Sequence, residues 1–122
     1  VELDTLPEAA EPPTIKAWWT QVAALGCLIT GKPNPTIHHI HGGSLADEGH
    51  HSGWALRGIS DYLVIPLAAE LHTTSSEGID GGKGVQSWEA EHGTQVELMD
   101  RVCRLTGQNA WRWAGIERDP WG

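Results

Sequence analysis

Two short runs decide the fold: Thr36-Ile37-His38-His39-Ile40, and Asp61-Tyr62-Leu63-Val64-Ile65-Pro66-Leu67 with Leu71-His72 close behind. Both are apolar and carry β-branched residues, as short strands do. The first follows the turn-rich Gly31-Lys32-Pro33-Asn34-Pro35, and the second closes at Pro66-Leu67. They predict one strand around 36–40, a second over 62–67, and a short helix or turn through 68–72 that carries His72. The connection from Gly42 to Gly58 is rich in glycine and poor in apolar residues, so it reads as a long surface loop.

Working outward, Ile15, Trp18, Trp19 and Val22 recur at helical spacing behind a candidate N-cap, Thr14, and ahead of Gly26. That predicts a helix over 15–25. Residues 1–13, with Pro7, Pro12, Pro13 and four unpaired acids, read as a flexible acidic lead-in. Downstream, 73–84 is a polar, glycine-rich connection containing Asp80. A short helix over 85–91 stops at Gly93. Thr94 and Glu97 have the spacing of a capping box and open a final helix over about 95–105, with Gly107 past its end. Residues 108–122 hold Trp111, Trp113 and Trp121 and read as a tail packing back on the body. The class is α+β, in one domain over 14–107.

The chain has 122 residues, with seven tryptophans and no phenylalanine, so large indole rings must do much of the core filling. No run approaches the roughly 18 apolar residues of a membrane span, and the N-terminus lacks the pattern of a signal peptide. The expected setting is cytoplasmic, with Cys27 and Cys103 as reduced thiols. The formal charge of −8 opposes nonspecific binding to phosphates.

His38, His39, His41, His50, His51 and His72 crowd into one region, with His92 further on. Imidazole is the commonest ligand of transition metals and a natural proton acceptor near neutral pH. His41, His50 and His51 fall in the loop region, where the plain reading is solvated side chains and the alternative is a second metal or a phosphate contact.

The order His38-His39, then the strand ending Pro66-Leu67, then His72 resembles the HNH (ββα-metal) nucleases. More narrowly, Gly78-Ile79-Asp80 followed by Ser87-Trp88-Glu89-Ala90-Glu91-His92-Gly93-Thr94-Gln95 is similar to the closing segment of phage recombination-enhancement (Ref-like, RecA-dependent) nucleases. The resemblance covers roughly residues 15–106 and implies a ββα-metal core with an N-terminal helix and C-terminal helices. It implies that His38 and His72 bind one divalent ion (Zn, Mg or Mn) and that His39 is the general base. Asp80 stands where relatives often carry a histidine, and is the candidate third ligand. Asp61 is a candidate to orient the base, and Arg57 and Lys83 are candidates for phosphate contacts. His38 and His39 point to opposite faces of a regular strand, so sharing one site requires irregular backbone at that pair.

Many relatives hold a structural zinc with two Cys-x-x-Cys pairs. Here the four positions are Cys27, Thr30, Ala68 and Leu71, so that zinc is expected to be absent and an apolar plug beside Cys27 to replace it. Trp88 is expected in the core, and His92 as a capping or packing residue. The resemblance implies metal-dependent hydrolysis of phosphodiester bonds in DNA, in phage or prophage recombination. A recombinase or another basic partner would reconcile that with the acidic surface. The alternatives are a metal-binding scaffold of this type that has lost activity and works through protein contacts, and a small acidic interaction protein with incidental histidines.

Overall fold

The computed structural model describes residues 11–50 and 60–122. Among these, helices and strands run in the order α1 (Ile15–Ala23), β1 (Thr36–His39), α2 (Gly43–Asp47), β2 (Val64–Leu67), α3 (Ala69–His72), α4 (Val85–His92), α5 (Gln95–Thr106) and α6 (Ala110–Trp113). The architecture is α+β, with a two-stranded antiparallel sheet.

β1 pairs with β2 in the register Thr36–Leu67, Ile37–Pro66, His38–Ile65 and His39–Val64. Beyond the strand ends, the Ile40 amide still donates to the Leu63 carbonyl at 3.1 Å. The backbone at His38-His39 is therefore regular, not irregular as sharing one site required. Regular pairing keeps the two imidazoles on opposite faces. β2 is buried along its whole length, and Leu63, Val64, Ile65 and Leu67 lie at the centre of the core.

α1 starts where its sequence says. The Thr14 hydroxyl accepts from the Ala17 amide at 3.1 Å, and the buried residues Trp18 and Val22 are one turn apart. The Trp18 indole donates to the Tyr62 carbonyl at 2.8 Å and the Trp19 indole to the Asp61 carbonyl at 2.7 Å. Two ring N–H groups thus fasten α1 to the approach of β2. The helix stops at Ala23, short of 25, with Gly26 at φ +76° in the turn behind it.

α5 is the long amphipathic helix, burying Val96, Leu98, Met99, Val102 and Cys103. Its N-terminus is capped by the Thr94 hydroxyl, which accepts from the Glu97 amide at 3.1 Å and donates to the Glu97 carboxylate at 2.8 Å. Replacing Thr94 by alanine is expected to lower stability by about 1 kcal/mol. A denaturation midpoint indistinguishable from wild type would show that this cap contributes nothing.

The tail folds back through α6. Fully buried Trp111 donates its indole N–H to Asp100 at 2.9 Å, and Arg118 grips the same carboxylate with two bonds of 2.8 and 2.7 Å. Trp113 stands edge-on to Trp18, with ring centroids 5.0 Å apart. Trp121 instead remains 53% exposed, so the tail docks through α6 and Arg118 and not through its last indole.

The loop expected from Gly42 to Gly58 contains a short helix, α2, whose Leu45 is fully buried. A carboxylate on α4 accounts for it: Glu89 accepts from the Ser44 amide at 3.0 Å and from its hydroxyl at 2.7 Å. Gly43, at φ +47°, is tight against Glu89 and Val85, where a Cβ would clash. His51 and Arg57 lie outside the described residues.

Cys27, Ala68 and Leu71 form a small buried cluster of their own, with Ile29 packed against it. The Cys27 sulfur accepts from the Thr30 amide at 3.4 Å. The cysteines are both free and buried, and burial pushes the Cys103 thiol up to about 11.

Candidate metal centre

β1 and the loop after α3 supply the parts. On the face of β1 opposite Ile37 and His39 lie Thr36 and His38, and His38 is fully buried. α3 ends at His72, after which the chain turns back on itself. The Ile79 amide donates to the Leu71 carbonyl at 2.9 Å and the Asp80 amide to the His72 carbonyl at 2.8 Å. This close return needs Gly78, whose Cβ would lie 2.7 Å from the His72 carbonyl oxygen. The turn sets the Asp80 side chain beside His72 and under β1.

Three imidazoles meet this one carboxylate. His38 Nδ1 is 3.1 Å and His72 Nε2 3.2 Å from Asp80 Oδ2, and His41 Nε2 is 2.7 Å from Oδ1. The ligand atoms of His38, His41 and Asp80 all lie within 4.8 Å of one another, a group able to hold a metal ion. His38 and His72 rings stand edge-on at 4.9 Å between centroids.

Burial by itself raises the Asp80 carboxyl, but the ring nitrogens of His38, His41 and His72 gathered against it outweigh burial and hold it well below the usual carboxylate range. It is an anion at neutral pH. His38 moves the other way: burial pushes it below the ordinary histidine value against the pull of Asp80, so the ring is neutral there.

The hydrogen bonding of His72 tests whether a cation suits the site. Thr36 donates its hydroxyl hydrogen to the Leu67 carbonyl at 2.8 Å, so toward His72 Nδ1, also at 2.8 Å, it can only accept. His72 Nδ1 therefore carries the hydrogen, and in the neutral ring Nε2 presents a bare lone pair to an anionic oxygen. Two acceptors at 3.2 Å repel unless positive charge lies between them. A proton on Nε2, pairing an imidazolium with the carboxylate, meets that need, and so does a divalent ion; imidazoles with one carboxylate suit Zn²⁺, Mn²⁺ or Fe²⁺ better than the all-oxygen shell favoured by Ca²⁺.

Neither protein-family models, curated proteins nor solved structures yield a match to this chain. The site therefore has to be judged on its own geometry.

Of the candidate ligands, His38, His72 and Asp80 are brought together. His39 is not among them. Its Nε2 is 2.8 Å from Asp61 Oδ1, and its ring stands edge-on to Trp19 at 5.5 Å, on the α1 side of the sheet. Asp61 thus lies against His39, away from the cluster. Lys83 forms ion pairs with Glu77, at 3.0 Å, and with Glu91, and those two carboxylates take up the charge a phosphate contact would use.

Sequence reasoning missed His41 as a member. It is only 7% exposed, where a solvated loop residue was the plain reading. His38 and His41 are three apart, an odd spacing that would put them on opposite faces of a continuing strand. The strand stops at His39, and Gly42 and Gly43 at positive φ turn the chain. The Gly-Gly pair was the available signal. Gln95 and Glu89 were also missed: Gln95 is fully buried, with its side-chain oxygen 2.8 Å from His38 Nε2.

Proposed function

We propose that this chain is a divalent-metal-dependent phosphodiesterase acting on DNA, with its ion held by His38, His41, His72 and Asp80. The observation that carries the reading is the convergence of three imidazoles on one carboxylate, with ligand atoms of His38, His41 and Asp80 all within 4.8 Å of one another. The HNH-like order of His38-His39, Pro66-Leu67 and His72 supplies the choice of substrate. A bound divalent ion would polarise a nonbridging phosphate oxygen and stabilise the departing alkoxide.

The chain's own residues do the rest. Asp80 contributes the negative charge that retains a dication, and the imidazoles add neutral donors. His39 takes the proton of the attacking water, with Asp61 accepting from Nε2 and leaving Nδ1 as the basic atom. Because His39 and the cluster lie on opposite faces of β1, a substrate served by both has to straddle the end of the strand, beyond His39.

A second reading is a metal-binding scaffold without hydrolytic activity, acting through protein contacts. It is favoured by the near-complete burial of His38 and His41 and by the engagement of Lys83 with two carboxylates. Cleavage of duplex and single-stranded DNA with magnesium, manganese or zinc separates the two. The nuclease reading expects His39→Ala to reduce the rate by at least about a hundredfold with metal affinity unchanged. Equal rates would remove His39 as the base. Tight metal binding with no cleavage under any metal would leave the inert scaffold.

No helix among the described residues is long and apolar enough to cross a membrane. A recombinase or other basic partner belongs to the same proposal, as the means of bringing DNA to an acidic chain with a net charge of −8.

A further inference from the structure

We propose that Gln95 is the positioning residue of the metal centre: it fixes the hydrogen of His38 on Nε2 and so assigns Nδ1 as the atom that binds the ion. This rests on the reading of the cluster as a metal centre.

The orientation of the Gln95 amide is settled by its neighbours. Its side-chain oxygen accepts from the His41 backbone N–H at 3.0 Å, and its NH₂ group donates to the His41 carbonyl at 2.6 Å. The NH₂ also lies 3.4 Å from a Glu89 carboxylate oxygen. Turning the amide over would set N–H against N–H, and oxygen against both a carbonyl and a carboxylate. One orientation therefore satisfies every neighbour.

With that orientation, Gln95 Oε1 is an acceptor, and the His38 Nε2 that lies 2.8 Å from it must donate. The neutral ring then has its lone pair on Nδ1, the atom 3.1 Å from Asp80 Oδ2. His38 and Gln95 are both fully buried, so water does not compete for Nε2. The same amide grips His41 by its backbone N–H and carbonyl, and one side chain thereby sets the ring of one donor and the main chain of another. Gln95 is itself held by Glu89, which accepts from its backbone N–H at 2.7 Å. A partner on the nitrogen remote from the ion is how protein metal sites fix the tautomer of a histidine ligand.

The test is nitrogen-15 NMR of the histidine rings in the full chain, titrated with zinc. In zinc-bound wild type, His38 is expected to keep a slowly exchanging hydrogen on Nε2 while Nδ1 takes the metal-induced shift. Gln95→Met, which removes the acceptor at similar volume, is expected to lose the protection of that hydrogen and to weaken zinc binding by about 10–100-fold. Zinc bound through His38 Nε2 in the wild type overturns the proposal, and this result does not depend on whether any variant folds. A folded Gln95→Met that binds zinc as tightly as wild type overturns it as well. A wild type that binds no zinc overturns the metal centre and the role of Gln95 with it.

Discussion

Asp80→Asn is expected to weaken zinc binding by about three orders of magnitude and to abolish any metal-dependent cleavage. Asparagine keeps the shape of the side chain and removes its charge. A pair of unit charges about 4 Å apart near a protein surface interacts by on the order of 4 kcal/mol, which is close to a thousandfold in Kd. The carboxylate is the one anionic group in the cluster, and both its oxygens face imidazole nitrogens. The other donors are neutral, so nothing in the cluster replaces the lost charge. Competition with a chromophoric chelator measures the effect directly. Retention of wild-type affinity would mean that the ion, if bound, lies elsewhere. Circular dichroism of the same samples guards against a trivial cause, since the backbone bond from Asp80 N–H to the His72 carbonyl is untouched by the change.

The second large effect falls on the core. Trp18→Ala is expected to cost about 3–5 kcal/mol of folding stability. A domain of this size has roughly 5–15 kcal/mol in all, and the melting temperature should fall by at least roughly 10 °C. Trp18 is fully buried, donates to the Tyr62 carbonyl and meets Trp113 edge-on. Its removal leaves a cavity where α1, the approach to β2 and the tail converge, and takes the donor from the half-buried Tyr62 carbonyl. Trp121→Ala is the control: the ring is half exposed, and the change is expected within about 0.5 kcal/mol of wild type. Melting of the two variants at the same temperature would show that Trp18 has no special place.

The parts of the fold that sequence made legible are those fixed by local chemistry. Thr14 and Thr94 cap helices because a hydroxyl before a helical run has one nearby use, and Trp18 and Val22 mark a buried face by their spacing. Cys27, Ala68 and Leu71 pack together, as the loss of thiolates at the other positions implied. What local chemistry could not give was decided across the chain. α2 forms because a carboxylate some 45 residues away accepts from Ser44. His41 turns inward because the strand ends two residues before it, and strand ends are poorly fixed by composition. His39 faces α1 because the ladder through His38 and His39 is unbroken. Gln95 was hidden for a different reason: a polar residue opening a helix looks solvated unless its partners are known.

The close return at Gly78 has a consequence for folding. His38 and Asp80 are 42 residues apart, and they meet only after the sheet has paired and the chain has doubled back on α3. An ion shared between them would bind only the closed chain and so add to its stability by mass action. A chelating agent would then lower the melting temperature of the loaded protein, and added zinc would raise it.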